Sequence, residues 1–277
     1  MADEADDVAG ARALFAAGRF PEARKAFEGI LAADPSSPEV HYYLGRLAIE
    51  RRDTADAVRE LEKAAELAPA SAPIHEALGD AYGRSAEKAG ILGSFSLARK
   101  CAAEYRRAVS LDPRDLEARE RLLEFYYRAP AIVGGGAAKA AGEAAAIEAV
   151  EPGRGSRAFA NLYIADGKYD LAQAELDKAL RTAPGDYATL YDIGRLAATS
   201  GQHLDRGLES LRLCLSLEPP KGAPPHAAAQ WRLGNILEKR GDVAGARAAY
   251  KAALELDPKD TQASDALRAL DRAQGGG

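Results

Sequence analysis

The chain has 277 residues, 47% of them apolar and 29% charged, with a net charge of −5. That is ample apolar material for a folded core, and without a long Lys/Arg run no nucleic acid partner is expected. No apolar stretch reaches the roughly 18 residues needed to span a bilayer, so no membrane insertion is expected either.

Seven times along the chain a small residue is followed, four positions on, by an apolar one, and the unit closes with proline. In order these are Ala23, Phe27, Ile30, Pro35, then Ala57, Leu61, Ala64, Pro69, then Cys101, Tyr105, Ala108, Pro113. The rest are Ala140, Ala144, Ile147, Pro152; Ala172, Leu176, Ala179, Pro184; Gly207, Leu211, Cys214, Pro219; and Ala246, Tyr250, Ala253, Pro258. The step from Pro35 to Pro69 is 34 residues, and from Pro184 to Pro219 it is 35. A period of this size marks a stacked array, because one unit cannot bury its apolar face alone.

Each unit splits into two helix-length segments. In the second unit, Val40, His41, Leu44, Leu47 and Ala48 recur at three- and four-residue spacing, and so do Ala57, Val58, Leu61, Ala64 and Ala65. The break falls at Arg52–Asp53, with Thr54 as the expected N-cap and Pro69 as the terminator. The first segment carries Leu44-Gly45, Leu78-Gly79, Leu233-Gly234 and the variant Ile193-Gly194. A glycine inside a helix costs about 1 kcal/mol and is tolerated where a neighbouring helix must come close.

With these residues the chain resembles the tetratricopeptide repeat (TPR) family, through Leu233-Gly234, Ala246, Tyr250, Ala253, Pro258 and their equivalents. The resemblance implies an all-α, right-handed α-solenoid of about seven helix-turn-helix units with a capping helix. The units span 4–37, 38–71, 72–115, 116–152, 153–186, 187–226 and 227–258, and the cap 259–272. Residues 1–3 and 273–277 are expected to be disordered.

Two units overrun the period: Pro69 to Pro113 is 44 residues and Pro113 to Pro152 is 39. Both insertions, Lys88 to Ser96 and Arg128 to Gly136, are placed in the turn between the two helices, with Ile91, Leu92 and Phe95 expected to pack against Ile132 and Val133. The long third hairpin and the Ala129-Pro130, Gly134-Gly135-Gly136, Lys139-Ala140 fourth hairpin resemble a bacterial TPR subgroup without an assigned activity. A third insertion, Pro220 to Pro225, reads as a stiff connection.

The residues point to no catalytic chemistry. Gly134-Gly135-Gly136 with Lys139 lacks the spacing and the Ser/Thr of a phosphate loop. His41 and His75 share a repeat slot, His203 and His226 fall in turns, and none has metal-ligand spacing. Cys101 and Cys214 fill small or apolar slots three units apart and read as buried thiols. The expectation is therefore no enzyme, no cofactor and no metal.

In TPR arrays the first helices line a concave groove that holds peptides. The positions three before, one after and four after the glycine slot would face it. They supply Tyr42, Arg46, Arg157, Asn161, Tyr191, Arg195, Trp231 and Asn235 as a peptide-binding set, and Glu76, Asp80, Glu120 and Glu124 as an acidic stretch. Arg157 and Asn161 begin the family's Lys/Asn clamp for chaperone tails, but Arg195 breaks it. The chain thus reads as a non-enzymatic adaptor for a protein or peptide segment. The rivals are a self-associating scaffold using the apolar inserts and an accessory subunit of an enzyme complex. Met1 is followed by acids, so no signal peptide is legible. A soluble chain is expected, cytoplasmic by default and periplasmic if a signal peptide has been removed.

Overall fold

The computed structural model describes residues 2–275 and the side chains of 7–272. Those residues form fifteen α-helices and one 3-10 turn, with no strand among them. The helices pair into seven antiparallel hairpins: α1 (Ala2–Ala16) with α2 (Phe20–Ala33), α3 (Pro38–Glu50) with α4 (Thr54–Leu67), and α5 (Ala72–Lys88) with α6 (Ile91–Leu111). The fourth is α7 (Leu116–Arg128), the 3-10 turn Ala131–Val133 and α8 (Ala137–Val150). Then come α9 (Pro152–Ala165) with α10 (Tyr169–Thr182), α11 (Tyr187–Ser200) with α12 (Leu204–Leu215), and α13 (His226–Lys239) with α14 (Val243–Leu256). The last helix, α15 (Thr261–Gly275), packs Leu270 against Tyr250 and Ala246. The chain divides into two compact units between Glu143 and Ala144.

The repeat slots explain the packing inside a hairpin. The small residue, the apolar residue four on and the one seven on are all buried: Ala57, Leu61 and Ala64 have no exposed surface. Leu61 points at the bare backbone of Gly45, where a Cβ would lie 2.5 Å from the Leu61 Cγ. Gly79 meets Tyr105 in the same way at 2.6 Å, Gly194 meets Leu211 at 2.3 Å, and Gly234 meets Tyr250 at 2.4 Å. Each Leu-Gly or Ile-Gly signature is the socket for its own hairpin's bulky residue, and any larger side chain there would overpack the junction. The small slot faces the next hairpin as well: a Cβ on Gly207 would come 2.3 Å from the Ala197 Cβ and 2.9 Å from the Ile236 Cδ1.

Several boundaries differ from the sequence expectation. Asp53, not Thr54, caps α4, accepting from the Asp56 amide at 3.2 Å, because a carboxylate one residue earlier reaches the free N–H groups of the first turn. Pro152 opens α9 instead of closing the unit before it, since proline suits a first helical position and a single residue, Glu151, links the helices. His226 likewise opens α13, and its Nε2 donates to the Leu217 carbonyl at 2.8 Å while the Tyr187 hydroxyl donates to the Pro224 carbonyl at 2.8 Å, pinning the proline-rich connection. Helix α1 already includes Ala2 and Asp3, because an acidic start suits a helix N-terminus; α15 continues to Gly275. Met1 and residues 276–277 of the expected disordered ends lie outside the described residues.

The third hairpin holds no inserted loop. Its extra residues lengthen both helices, to 17 in α5 and 21 in α6, leaving only Ala89-Gly90 between them. The stretch predicted as a loop has weak helix propensity, with Gly90, Gly93, Ser94 and Ser96, yet α6 begins at Ile91, because tertiary packing overrides propensity. Ile91 and Leu92 are therefore 76% and 86% exposed and Ile132 is 64% exposed, so the expected mutual packing does not form; Val133 is buried. The two inserts are nonetheless neighbours, the Arg99 guanidinium donating to the Ile132 carbonyl at 3.1 Å. The glycine run is a turn: Gly134 has φ 103°, and a Cβ on Gly135 would strike the Ala129 carbonyl oxygen at 1.8 Å. Lys139 Nζ donates to the Gly134 carbonyl at 2.8 Å.

A second device joins successive hairpins. His41 places Nε2 3.1 Å from the carbonyl of Pro35, in the preceding loop, and Nδ1 2.7 Å from Glu60 on α4. His75 repeats this with Pro69 at 3.0 Å and Glu104 on α6 at 2.6 Å. In the fourth hairpin Arg119 takes the slot, Nε donating to the Pro113 carbonyl at 2.9 Å and a terminal nitrogen to Glu143 at 2.8 Å. Burial works against the Glu60 charge, but bonds from His41 and Arg59 hold its carboxyl below the usual range. Each clamp ties a closing-proline carbonyl to the next hairpin's second helix.

Two stability measurements follow. His41→Leu removes the partner of the Pro35 carbonyl and of one Glu60 oxygen and should lower stability by about 1–2 kcal/mol, whereas His41→Arg, which copies the residue in this slot of the fourth hairpin, should retain most of it. The urea midpoints of the two variants check this, equal midpoints counting against the clamp. Arg52 turns into α4 with φ 60°, where Gly18, Gly167, Gly201 and Gly241 serve the equivalent turns with φ of 71–79°. Arg52→Gly should raise stability by up to about 1 kcal/mol through relief of left-handed strain, read as a higher urea midpoint.

Candidate functional site

Some stripe residues meet a neighbouring first helix and others their own hairpin. In the first unit, Arg46 sits 3.2 Å from the Tyr42 hydroxyl and over the Phe15 ring at 4.8 Å. Glu76 and Asp80 on α5 lie 3.9 and 3.8 Å from Arg121 on α7. Glu124 pairs with Arg128 at 3.1 Å, and Glu120 is half-buried on the same helix. Burial raises the Glu76 carboxyl to about 7, with Asp115 and Asp80 adding to the shift and Arg121 opposing it.

Beside this stretch α5, α6, α7 and the 3-10 turn enclose an open cavity of about 580 Å³. Cys101 and Tyr105 form its floor, Phe95, Phe125 and Val133 its apolar wall, and Arg84, Arg121 and Arg128 stand among Asp80, Glu87 and Glu124. Desolvation pushes the Cys101 thiol up to about 12, so it is a packing group and not a nucleophile.

In the second unit, Arg195 on α11 reaches back to donate to Asn161 on α9 and bonds Asp192 at 3.1 Å. Arg157 lies 4.0 Å from Asp186. Tyr191 is 8% exposed, within the core of its hairpin. Trp231 packs partly against Tyr250 and Leu270, with the Arg232 guanidinium 4.2 Å over its ring. The Tyr250 hydroxyl lies 2.8 Å from Asn235 Oδ1, just as the Tyr105 hydroxyl donates to Asp80 at 2.6 Å. A tyrosine in the glycine socket thus fixes the stripe residue next to that glycine from inside.

Sequence spacing overlooked the slot two before the glycine position. It holds Arg121, Asp192 and Arg232, and each sits against the stripe. The signal was available: on a helix this slot lies about 100° from the stripe residue before it, close enough for a long side chain to reach across. These neighbours soften the expected division, since the acidic stretch contains arginines and the later stretch contains Asp192, whose carboxyl burial pushes up against the pull of Arg195 and Arg157. Among the described residues no group of three or more His, Cys, Asp or Glu is placed to hold a metal ion, and no helix is long and apolar enough to cross a membrane.

The tetratricopeptide repeat family matches residues 8–85, 157–209 and 227–260. The chain belongs to the tetratricopeptide repeat family. A tetratricopeptide repeat protein from Parabacteroides merdae superposes with a TM-score of 0.69 over 98% of this chain and 99% of its own, at 14% identity, a likeness of fold. Cellulose synthase operon protein C of Pseudomonas fluorescens is 33% identical over 134 residues, 46% of this chain and 10% of that protein. The human protein O-mannosyl-transferase TMTC1 is 31% identical over 124 residues, 43% of this chain and 13% of that protein. The chain spans about a tenth of the length of these relatives. The TPR fold is an all-α repeat solenoid that serves generally as a protein-interaction scaffold.

The Glu76 shift gives a pH signature. The folded state holds that proton above the ordinary carboxylate value of 4.5, so stability should fall as pH rises from about 4.5 to about 7. Glu76→Gln should remove this part of the fall. Urea midpoints across the window, wild type against variant, are the check; parallel curves would discount the buried carboxyl.

Proposed function

We propose that this TPR chain is a non-enzymatic adaptor that holds a segment of another protein along the exposed side of its first helices. One observation carries the reading: side chains on successive first helices touch each other at the stripe, Arg195 meeting Asn161 within it and Arg121, one slot beside it, bridging to Glu76 and Asp80. Within each compact unit a partner laid across them would meet charged, amide and aromatic groups, and Trp, Tyr and Arg are the side chains enriched at binding hot spots. Tyr42, Arg46, Arg157, Asn161, Tyr191, Arg195, Trp231 and Asn235 are its proposed peptide contacts, with Glu76, Asp80, Glu120 and Glu124 beside any basic residue of the partner. The generally non-catalytic character of the family supports the absence of an activity of its own.

The self-associating reading draws on the exposed Ile91, Leu92 and Ile132. The accessory reading draws on the names of the two partial relatives alone.

Affinity capture from a source lysate, identified by mass spectrometry and repeated with purified partner, tests the adaptor. Arg195→Ala and Trp231→Ala should each weaken partner binding by about 1 kcal/mol or more, while circular dichroism confirms that both variants stay folded. Unchanged affinity in both would remove these residues from the contact.

A further inference from the structure

The slot two before the glycine position is filled by arginine in both the fourth and the seventh hairpin, with different surroundings. In the fourth, Arg121 lies 3.9 and 3.8 Å from Glu76 and Asp80, the residues three before and one after the glycine of the preceding first helix. In the seventh the arginine is Arg232, and the same two positions on the preceding first helix, α11, are Tyr191 and Arg195. A phenol and a second guanidinium thus occupy the positions that hold carboxylates two and three hairpins earlier in the chain.

Nothing else nearby takes over the role. Asp192, the acid of α11, is held by Arg195 at 3.1 Å. At three- and four-residue spacing on its own helix Arg232 has Ala228, Ala229, Asn235 and Ile236, and the Asn235 Oδ1 already accepts from the Tyr250 hydroxyl. Among the described residues Arg232 makes no ion pair, and its Nε is buried without a hydrogen-bond partner. An unsatisfied buried donor is rare in a folded chain and costs stability unless something supplies its acceptor.

The side chain is nonetheless held in place. Its guanidinium lies 4.2 Å over the ring of Trp231, and that ring packs against the core around Tyr250 and Leu270. Stacking on an indole leaves the fork of N–H donors directed outward from the ring, where it matches a planar acceptor with two oxygens. A guanidinium fixed in this way loses little freedom on meeting a ligand.

We propose that Arg232, seated on Trp231, receives the side-chain carboxylate of an Asp or Glu in the bound segment and so determines which segments the last hairpin accepts. This rests on the adaptor reading of the first helices and adds to it a residue outside the stripe. The Lys/Asn clamp for chaperone tails is broken at Arg195, which leaves a carboxylate within the segment, and not a chain terminus, as the occupant.

Selection of a random twelve-residue peptide library, displayed on phage with no free C-terminus, against the full chain tests this. Asp and Glu should be enriched on the wild type, and the enrichment should vanish on Arg232→Gln. For one selected peptide made with an amidated C-terminus, replacing its acid by the amide should weaken binding to the wild type at least tenfold and to Arg232→Gln less than twofold. Arg232→Lys, which keeps the charge and the aliphatic stem over Trp231 but not the planar fork, should recover part of the affinity; circular dichroism verifies the fold of both variants. Binders without acidic enrichment, or equal weakening of the wild type and Arg232→Gln by the peptide substitution, would overturn the proposal. So would a free-acid form of the peptide that binds at least tenfold more tightly than its amide, since a chain terminus would then be the occupant. If Arg195→Ala abolishes binding of the selected peptides while their acids show no coupling to Arg232, the adaptor reading stands and this site falls. A library that yields no binder overturns the site alone, because the partner captured from lysate decides the adaptor reading separately.

Discussion

The close approach of two helices at a bare glycine is what the rest of this structure depends on. Leu61, Tyr105, Leu211 and Tyr250 each lie against the backbone of a glycine on the partner helix, at separations where no Cβ fits. The unfavourable helix propensity of glycine is offset by burying a large side chain completely. Because the same contact recurs, every such hairpin offers its neighbour a face of similar shape, and stacking continues without a globular core.

That contact also reaches the surface. When the bulky residue is tyrosine, its ring fills the socket and its hydroxyl emerges beside the next residue of the first helix, binding Asp80 in one case and Asn235 in another. Where it is leucine nothing emerges, and Arg46 and Arg195 take partners from their own surface instead. Core identity therefore sets how firmly each stripe residue is held. A polar group fixed from within loses little conformational freedom on meeting a partner, which favours recognition.

The clamps made by His41, His75 and Arg119 show how one geometric role accepts different chemistry. Each side chain spans a proline carbonyl and a glutamate, so the slot requires two side-chain nitrogens at a fixed separation. Histidine read alone suggests a ligand or a catalytic base. Set beside arginine in the same slot, it reads as a brace, which is why repeats are informative about residues that motifs are not.

The sequence by itself determined the all-α array, the seven units, the pairing of small and bulky slots and the place of the final helix, because periodicity and proline spacing are local properties of the chain. It also proposed the stripe, since three- and four-residue spacing fixes which side chains share a helix face. It misjudged Lys88 to Ser96 as a loop, because Gly90, Gly93, Ser94 and Ser96 give that stretch weak helix propensity, and packing of α5 on α6 overrides it. Only the tertiary structure decided that Ile91 and Leu92 stay exposed, that Arg121 and Asp192 sit beside the stripe, that Tyr105 and Tyr250 hold stripe residues from within, and that a cavity opens behind Phe95. Each of these depends on distances between residues on different helices, and those distances follow from how whole helices pack.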